Sequence, residues 1–415
     1  MMPTTTATYP GSVTARAYAH PRPATATPTP SIAFFGHDAG ESTVIKRATA
    51  FQACGARVVG FMFRRERAAP QRPLPFENVD LGVTADRNYA RRVPKLLAGV
   101  ARTLKRRDLL ETCNVFYARN LDMLLVAEAA RRLGHVDAAL VYECLDVRRV
   151  FLGNGSISKA FRWSERKLLG ASDLLVVSAP DYLTRYFGPV QGYVGPTYLL
   201  ENKPLPHMLP ARPERLRCEA PPRLPWVIGW FGVLRCTRTL DILCGLARAL
   251  PKRVQVYIRG IPSETDIPLA QLDAVCRRLP NVVYDGPYAN PDDLPDIYGR
   301  VHFVWASDFQ DAGGNSDWCL TNRLYEGGLC GTVMLSARDN ATGRFVERHR
   351  LGFALPDPLD ETLPAFLQGL DAEAYLRARS RARSAPMSLF VDGHDTARLV
   401  HLMRTLRRRD RVESS

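Results

Sequence analysis

The feature that most constrains this chain is an alternation of short apolar runs with helix-periodic stretches, which appears twice along its length. In SIAFFGHDAGESTVIKRATAFQACG (31–55), Ile32 to Gly36 reads as a buried strand and GHDAGES as a turn. The stretch from Thr43 to Ala53 then has helical periodicity and stops at Gly55. ARVVGFMF (56–63) supplies a second buried strand, completing a β-loop-α-β unit of the kind that builds parallel sheets. CNVFYARN, the helix LDMLLVAEAARRLG, AALVYECLD, the helix around FRWSERKLLGASD and LLVVSAP continue the series.

From Asn202 to Leu224 the chain turns Pro- and Arg-rich and loses periodicity, which marks a linker over 204–225. A second series follows: WVIGWFGVL, the helix TLDILCGLARAL, VQVYIRG, the helix around PLAQLDAVCRRLP, NVVYDG, VHFVWA and TVMLS. The fold class is therefore α/β, with two Rossmann-like parallel-sheet domains, 31–203 and 226–384, facing each other across a cleft. A disordered Thr/Ala/Pro tail is expected over 1–30 and a basic helical segment over 385–415. In such sheets ligands bind outside the carboxyl ends of the strands, so chemistry belongs in the post-strand loops.

Lys and Arg outnumber Asp and Glu by 56 to 42, a formal charge of +14, which favours anionic partners without choosing among them. The basic clusters are scattered, at RRER (64–67), RRVPK (91–95), KRR (105–107) and RRR (407–409), so solvated faces explain them equally well. The nine cysteines form no C-x-x-C pair, which argues against a disulfide or metal framework and for a reducing cytoplasm. No stretch has the roughly 20 apolar residues needed to span a bilayer, so membrane contact would be peripheral.

The loop GHDAGES lacks both G-x-G-x-x-G and P-loop spacing. It instead crowds His37, Asp38, Glu41, Ser42 and Thr43 at a helix N-terminus. Helix capping by Ser42 or Thr43 accounts for part of that set but not for a His-Asp pair after the first strand. In IGWFGVLRCTRTLDIL, Gly232 ends a strand and Arg235 and Arg238 follow, residue types suited to gripping a diphosphate. Further on, TNRLYEGGLCGTVML (321–335) runs from a polar helix into a strand. A helix starting near Thr321 would offer the amides of Thr321 and Asn322, with the loop Gly313–Ser316, to phosphates. Glu326, one turn on, would accept two ribose hydroxyls. Pairing of Glu326 with Arg323 at i−3 is the purely structural alternative.

Residues 226 to 356 resemble the nucleotide-sugar domain of GT-B glycosyltransferases of the family-4 type. The matching pieces come in order: Gly232, Leu234 and Arg238; VYIRG; NVVYDGPYANPDDLPDIY; then Asn322, Arg323, Glu326 and Gly331. The resemblance implies that Arg238, with Arg235, binds donor phosphate and that Glu326 binds the ribose. The chain departs from the pattern at Val233. It departs again at Trp318, where the first carboxylate of the paired-Glu motif would fall, so the sugar hydroxyls pass to the Asp311–Asp317 loop.

The N-terminal half, in FFGHDAGESTVIKRATAFQACGARVVGFMFRR and VFYARNLDMLLVAEAARRLG, is similar to bacterial exopolysaccharide glycosyltransferases of the succinoglycan-biosynthesis kind. That resemblance implies hexosyl transfer from a nucleotide sugar, with UDP-glucose the first choice, to a polyprenyl-diphosphate-linked saccharide at the cytoplasmic face of the inner membrane. No cofactor, metal or nucleic acid is called for. The acceptor would enter near His37, Asp38, Glu41 and YECLDVRR (142–149). Asp38 or Glu41 would serve as base if the reaction inverts, with Asp146 behind them. A GT-B nucleotide-sugar epimerase, a non-catalytic basic nucleic-acid- or membrane-binding protein and a transferase that has lost activity are the competing readings.

Overall fold

The structure is a computed structural model and describes residues 29–65, 73–84, 89–206, 209 and 220–406. Nearly all of the expected N-terminal tail, most of the linker, Glu66 and Arg67 of the RRER cluster, and RRR at 407–409 lie outside the described residues.

The first sheet holds β1 (Ser31–Gly36), β2 (Arg57–Arg65), β3 (Asn78–Thr84), β4 (Val115–Arg119), β5 (Ala139–Cys144), β6 (Leu174–Val177) and β7 (Thr197–Leu199). Their order is β3-β2-β1-β4-β5-β6-β7, and every pairing is parallel. The second sheet holds β8 (Trp226–Leu234), β9 (Val254–Pro262), β10 (Val282–Tyr284), β11 (Phe303–Trp305), β12 (Val333–Ala337) and β13 (Gly352–Leu355). It is also parallel, ordered β10-β9-β8-β11-β12-β13. Strand order reverses between β1 and β4 in one domain and between β8 and β11 in the other. Loops diverge at such switch points and leave a crevice, so each domain has a built-in binding position.

The near-continuous apolar strands arise because helices cover both faces of each sheet. Side chains alternate between the two faces. Ala33, Phe35, Phe61, Phe116 and Leu140 pack into one core layer of the first domain, and Ile32, Phe34, Met62, Tyr117 and Val141 into the other. The second domain repeats the arrangement, with Ile228, Trp230 and Trp305 on one side and Phe231, Val304 and Met334 on the other. Leu399, Val400 and Met403 of the last described helix, Asp395–Thr405, join the first domain's core, so the chain returns to that domain at its end.

One close approach needs glycine. Gly232 and Gly260 are paired across β8 and β9, both with positive φ (112° and 143°), and a Cβ at Gly260 would come within 1.8 Å of the Gly232 carbonyl oxygen.

Candidate active site in the interdomain cleft

The loop after β1 leads into the helix Ser42–Ala53. Glu41 holds the N-cap position by its backbone, and neither Ser42 nor Thr43 caps it with a side chain. The Glu41 carboxylate instead receives Thr43 Oγ1 at 2.5 Å and pairs with His37 Nε2 at 2.6 Å. His37 Nδ1 lies 3.2 Å from Asn120 Nδ2, at the end of β4. Burial works against the charged form of Glu41, but the His37 and Thr43 contacts and the nearby Arg119 charge outweigh it and hold the carboxyl down at about 2. Asp38 is fully buried. It accepts the Gly40 amide at 2.9 Å and lies 3.7 Å from Arg65 Nε, so it ties the loop down rather than facing the cleft.

Below this loop, Glu143 of β5 lies 2.9 Å from both Arg47 Nε and Arg119 Nε. All three side chains are buried, and Arg119 Nη1 has no hydrogen-bond partner. Two guanidiniums share one carboxylate, which leaves this buried cluster net positive. Beside it, His37, Arg65, Arg92, Asn120, Asp146 and Arg148 line a pocket whose apolar wall includes Phe63, Leu96, Phe151 and Phe161.

In the second domain the helix Asn322–Leu329 begins where expected, with Thr321 at its N-cap. Thr321 Oγ1 donates to the Ala306 carbonyl at 2.7 Å, and its amide faces Thr342 Oγ1 at 3.4 Å. Glu326 is only 8% exposed. It accepts Asn290 Nδ2 at 2.7 Å and Tyr298 Oη at 3.0 Å. Its proposed structural partner Arg323 is engaged elsewhere, donating to the carbonyls of Phe231 at 3.1 Å and Ser307 at 2.8 Å. Arg323 thus ties together the ends of β8 and β11, and Glu326 is left facing a cavity. Burial raises the Glu326 carboxyl against the opposing pull of Tyr298, Asn290, Arg323 and Lys46.

That cavity, about 190 Å³, lies between the domains. Ser42, Thr43, Lys46 and Asn202 form one wall, and Asn290, Asn322, Tyr325 and Glu326 the other. The structure therefore brings Asn322 and Glu326 together with the start of the first domain's helix. Gly232, Arg235 and Arg238 are not among the described residues that line it. Arg238 pairs with Asp357 at 3.0 Å and stacks 4.4 Å over the Phe309 ring, while Arg235 is exposed.

The Gly313–Ser316 loop also departs from expectation. Asn315 Oδ1 accepts the Val147 amide at 3.0 Å and Tyr182 Oη at 2.7 Å, and Asn315 Nδ2 donates to Asp146 at 3.0 Å. Asp311 pairs with Arg149, and Asp317 accepts the Gly313 amide at 2.9 Å. The loop's polar groups are thus used in bridging to the first domain and in closing the loop itself, not in sitting over the helix at Thr321. Sequence reasoning missed Lys46, Asn290 and Tyr298 as members of the site. The ANPDD turn was a visible signal for Asn290, whereas nothing local pointed to the other two.

The chain is 34% identical over 378 residues to the succinoglycan biosynthesis protein ExoL of Rhizobium meliloti (strain 1021), covering 90% of this chain and 93% of that protein. The chain belongs to the family of this succinoglycan biosynthesis protein. No protein-family model matches it. Among solved structures, sucrose-phosphate synthase from Thermosynechococcus elongatus superposes with a TM-score of 0.68 at 15% identity, over 90% of this chain and 98% of that one. HepE of Anabaena, solved in complex with UDP and glucose, gives 0.65 at 15% identity, over 91% and 100%. WaaG, a glycosyltransferase involved in lipopolysaccharide biosynthesis, gives 0.58 at 14% identity, over 90% and 100%. At these identities the structural likeness speaks for the fold alone, the GT-B arrangement of two parallel-sheet domains.

Proposed function

We propose that this chain transfers a glucosyl unit from UDP-glucose to a polyprenyl-diphosphate-linked saccharide during exopolysaccharide assembly. The observation that carries this reading is Glu326: a carboxylate buried in the cleft, held by two neutral donors and open to a cavity at a helix start. Such a group can exchange its partners for two ribose hydroxyls, while Asn322 at the helix N-terminus faces the adjoining phosphates. The HepE structure in complex with UDP-glucose agrees with that choice of donor, and ExoL's name agrees with exopolysaccharide assembly.

Transfer needs the leaving diphosphate stabilised and an acceptor hydroxyl positioned at the anomeric carbon. Cations and helix amides of a closed cleft supply the first without calling on a metal. In the first domain, His37 lines the pocket in which the acceptor would lie, and Glu41 and Asn120 fix its ring. Glu41, held at about 2, is a weak base and serves better to orient His37. His37 Nδ1 is then the atom to accept the hydroxyl proton, once the acceptor hydroxyl takes the place of the Asn120 amide on it, and Asp38 supports the loop.

Two helices that contribute to this pocket also carry exposed apolar residues. Val93 and Leu97 follow its lining residues Arg92 and Leu96 on the helix Tyr89–Leu104, and Ile157 and Trp163 flank Phe161 on the helix Ser156–Leu169. All four are exposed, at 57%, 63%, 68% and 60%. With Lys95, Lys159 and Lys167 also exposed on those helices, this face suits an anionic bilayer that carries the acceptor at the cytoplasmic side of the inner membrane. Among the described residues no helix is long and apolar enough to cross a membrane.

The test is a transfer assay with radiolabelled UDP-glucose and lipid-linked saccharide extracted from an exopolysaccharide-producing strain. Label moving into the lipid fraction supports the reading. Nucleotide binding without transfer to any lipid-linked saccharide would contradict it.

A further inference from the structure

The first domain adds to the Glu326 cavity a residue that no motif marks. Lys46 stands in the opening turns of the helix Ser42–Ala53, and its Nζ lies 3.3 Å from the carbonyl oxygen of Asn202 and 3.4 Å from its side-chain oxygen. Asn202 Nδ2 in turn donates to Asn322 Oδ1 at 3.0 Å. A polar chain, Lys46 to Asn202 to Asn322, thereby runs from the first domain's helix to the N-terminus of the second domain's.

Both Lys46 contacts are long for an ammonium, whose charge-assisted bonds to oxygen settle near ~2.8 Å. Glu326 across the cavity acts on Lys46 through space, and among the described residues no carboxylate forms an ion pair with it. Arg47 and Arg119 crowd it from below, and Glu326 and Asp392 draw it the other way. A cation so enclosed and so weakly held is costly until an anion reaches it. Because Asn322 and Glu326 share the cavity with it, the phosphates of a nucleotide whose ribose sits on Glu326 would come within reach of Lys46.

We propose that Lys46 is a phosphate ligand for the donor, supplied by the first domain, so that a bound nucleoside diphosphate joins the two domains through it. This rests on the donor reading of the Glu326 cavity. Burial pushes Lys46 down to about 7, and a phosphate beside it would restore the proton, so binding at pH 7.5 takes protons up.

Calorimetric titration of UDP and of uridine into wild type, Lys46→Gln and Lys46→Arg, at fixed salt and in two buffers of different ionisation enthalpy, tests this. The expected result is a loss of UDP affinity in Lys46→Gln of roughly ten- to a hundredfold. Uridine affinity should be unchanged, Lys46→Arg should retain most UDP binding, and the wild type should take up more protons than Lys46→Gln. UDP binding by Lys46→Gln equal to wild type would overturn the proposal, as would an equal loss for UDP and uridine. A folded wild type that binds no nucleoside diphosphate would instead overturn the donor reading beneath it.

Discussion

Two glutamates face the same cleft from opposite domains, and their surroundings push them in opposite directions. Glu41 sits among cations and donors, against His37, Thr43 and the Arg119 charge, and stays ionised down to about 2. Glu326 sits among neutral donors, Asn290 and Tyr298, and its burial raises it. The first domain has paired the charges of its loop, through His37–Glu41 and Arg65–Asp38. The second has left a carboxylate whose hydrogen bonds are all replaceable. A group locked by charge orients its neighbours, and one held by neutral donors is poised to exchange them for a ligand.

Replacing His37 breaks the first half of this comparison most sharply. His37→Ala should lower kcat for transfer by about a hundredfold or more, the usual reach of general acid–base catalysis, while UDP affinity stays near wild type. If both parameters fall together, His37 belongs to the cleft's architecture and not to its chemistry.

A smaller effect is expected at the exposed apolar residues of the helices Tyr89–Leu104 and Ser156–Leu169. Leu97→Ser with Trp163→Ser should weaken binding to vesicles containing anionic lipid on the order of tenfold, as a few apolar contacts are lost, without changing UDP affinity. Vesicle binding that stays at wild-type strength would move the membrane face elsewhere.

The smallest change concerns acid stability. Glu41 is depressed in the folded chain, so its stabilisation is complete above its unfolded value near 4.5 and is lost as pH falls toward 2. Denaturant melts between pH 5 and pH 2.5 should show wild type losing stability more steeply than Glu41→Gln, by ~2 kcal/mol at most. Parallel curves would show that the His37–Glu41 pair contributes nothing net.

The interior strands were legible because both-face burial forces continuous apolar runs, and SIAFFG, VFYAR and WVIGWFGVL all proved to be strands. The ones overlooked were β3, β7 and β13. All three are edge strands, partly exposed, and NVDLGVT carries the polar residues that an edge tolerates. At the site, Glu326 and the helix start could be read because they lie a single turn apart in sequence. Its partners could not: Asn290 and Tyr298 precede it by 36 and 28 residues and reach it only through the packing of Leu294–Gly299 on the second sheet. Asn315 and Arg238 show the opposite case. Their sequence context suited a phosphate, but the domain interface claims Asn315 and the Asp357–Phe309 pair claims Arg238.

The most direct measurement compares UDP with 2′-deoxy-UDP on wild type and Glu326→Gln by calorimetry. The account predicts that wild type prefers UDP by roughly tenfold or more, the value of a hydrogen bond to a charged group, and that Glu326→Gln loses most of that preference. If the variant discriminates between the two nucleotides as well as wild type does, Glu326 does not hold the ribose, and the donor site must be sought elsewhere in the cleft.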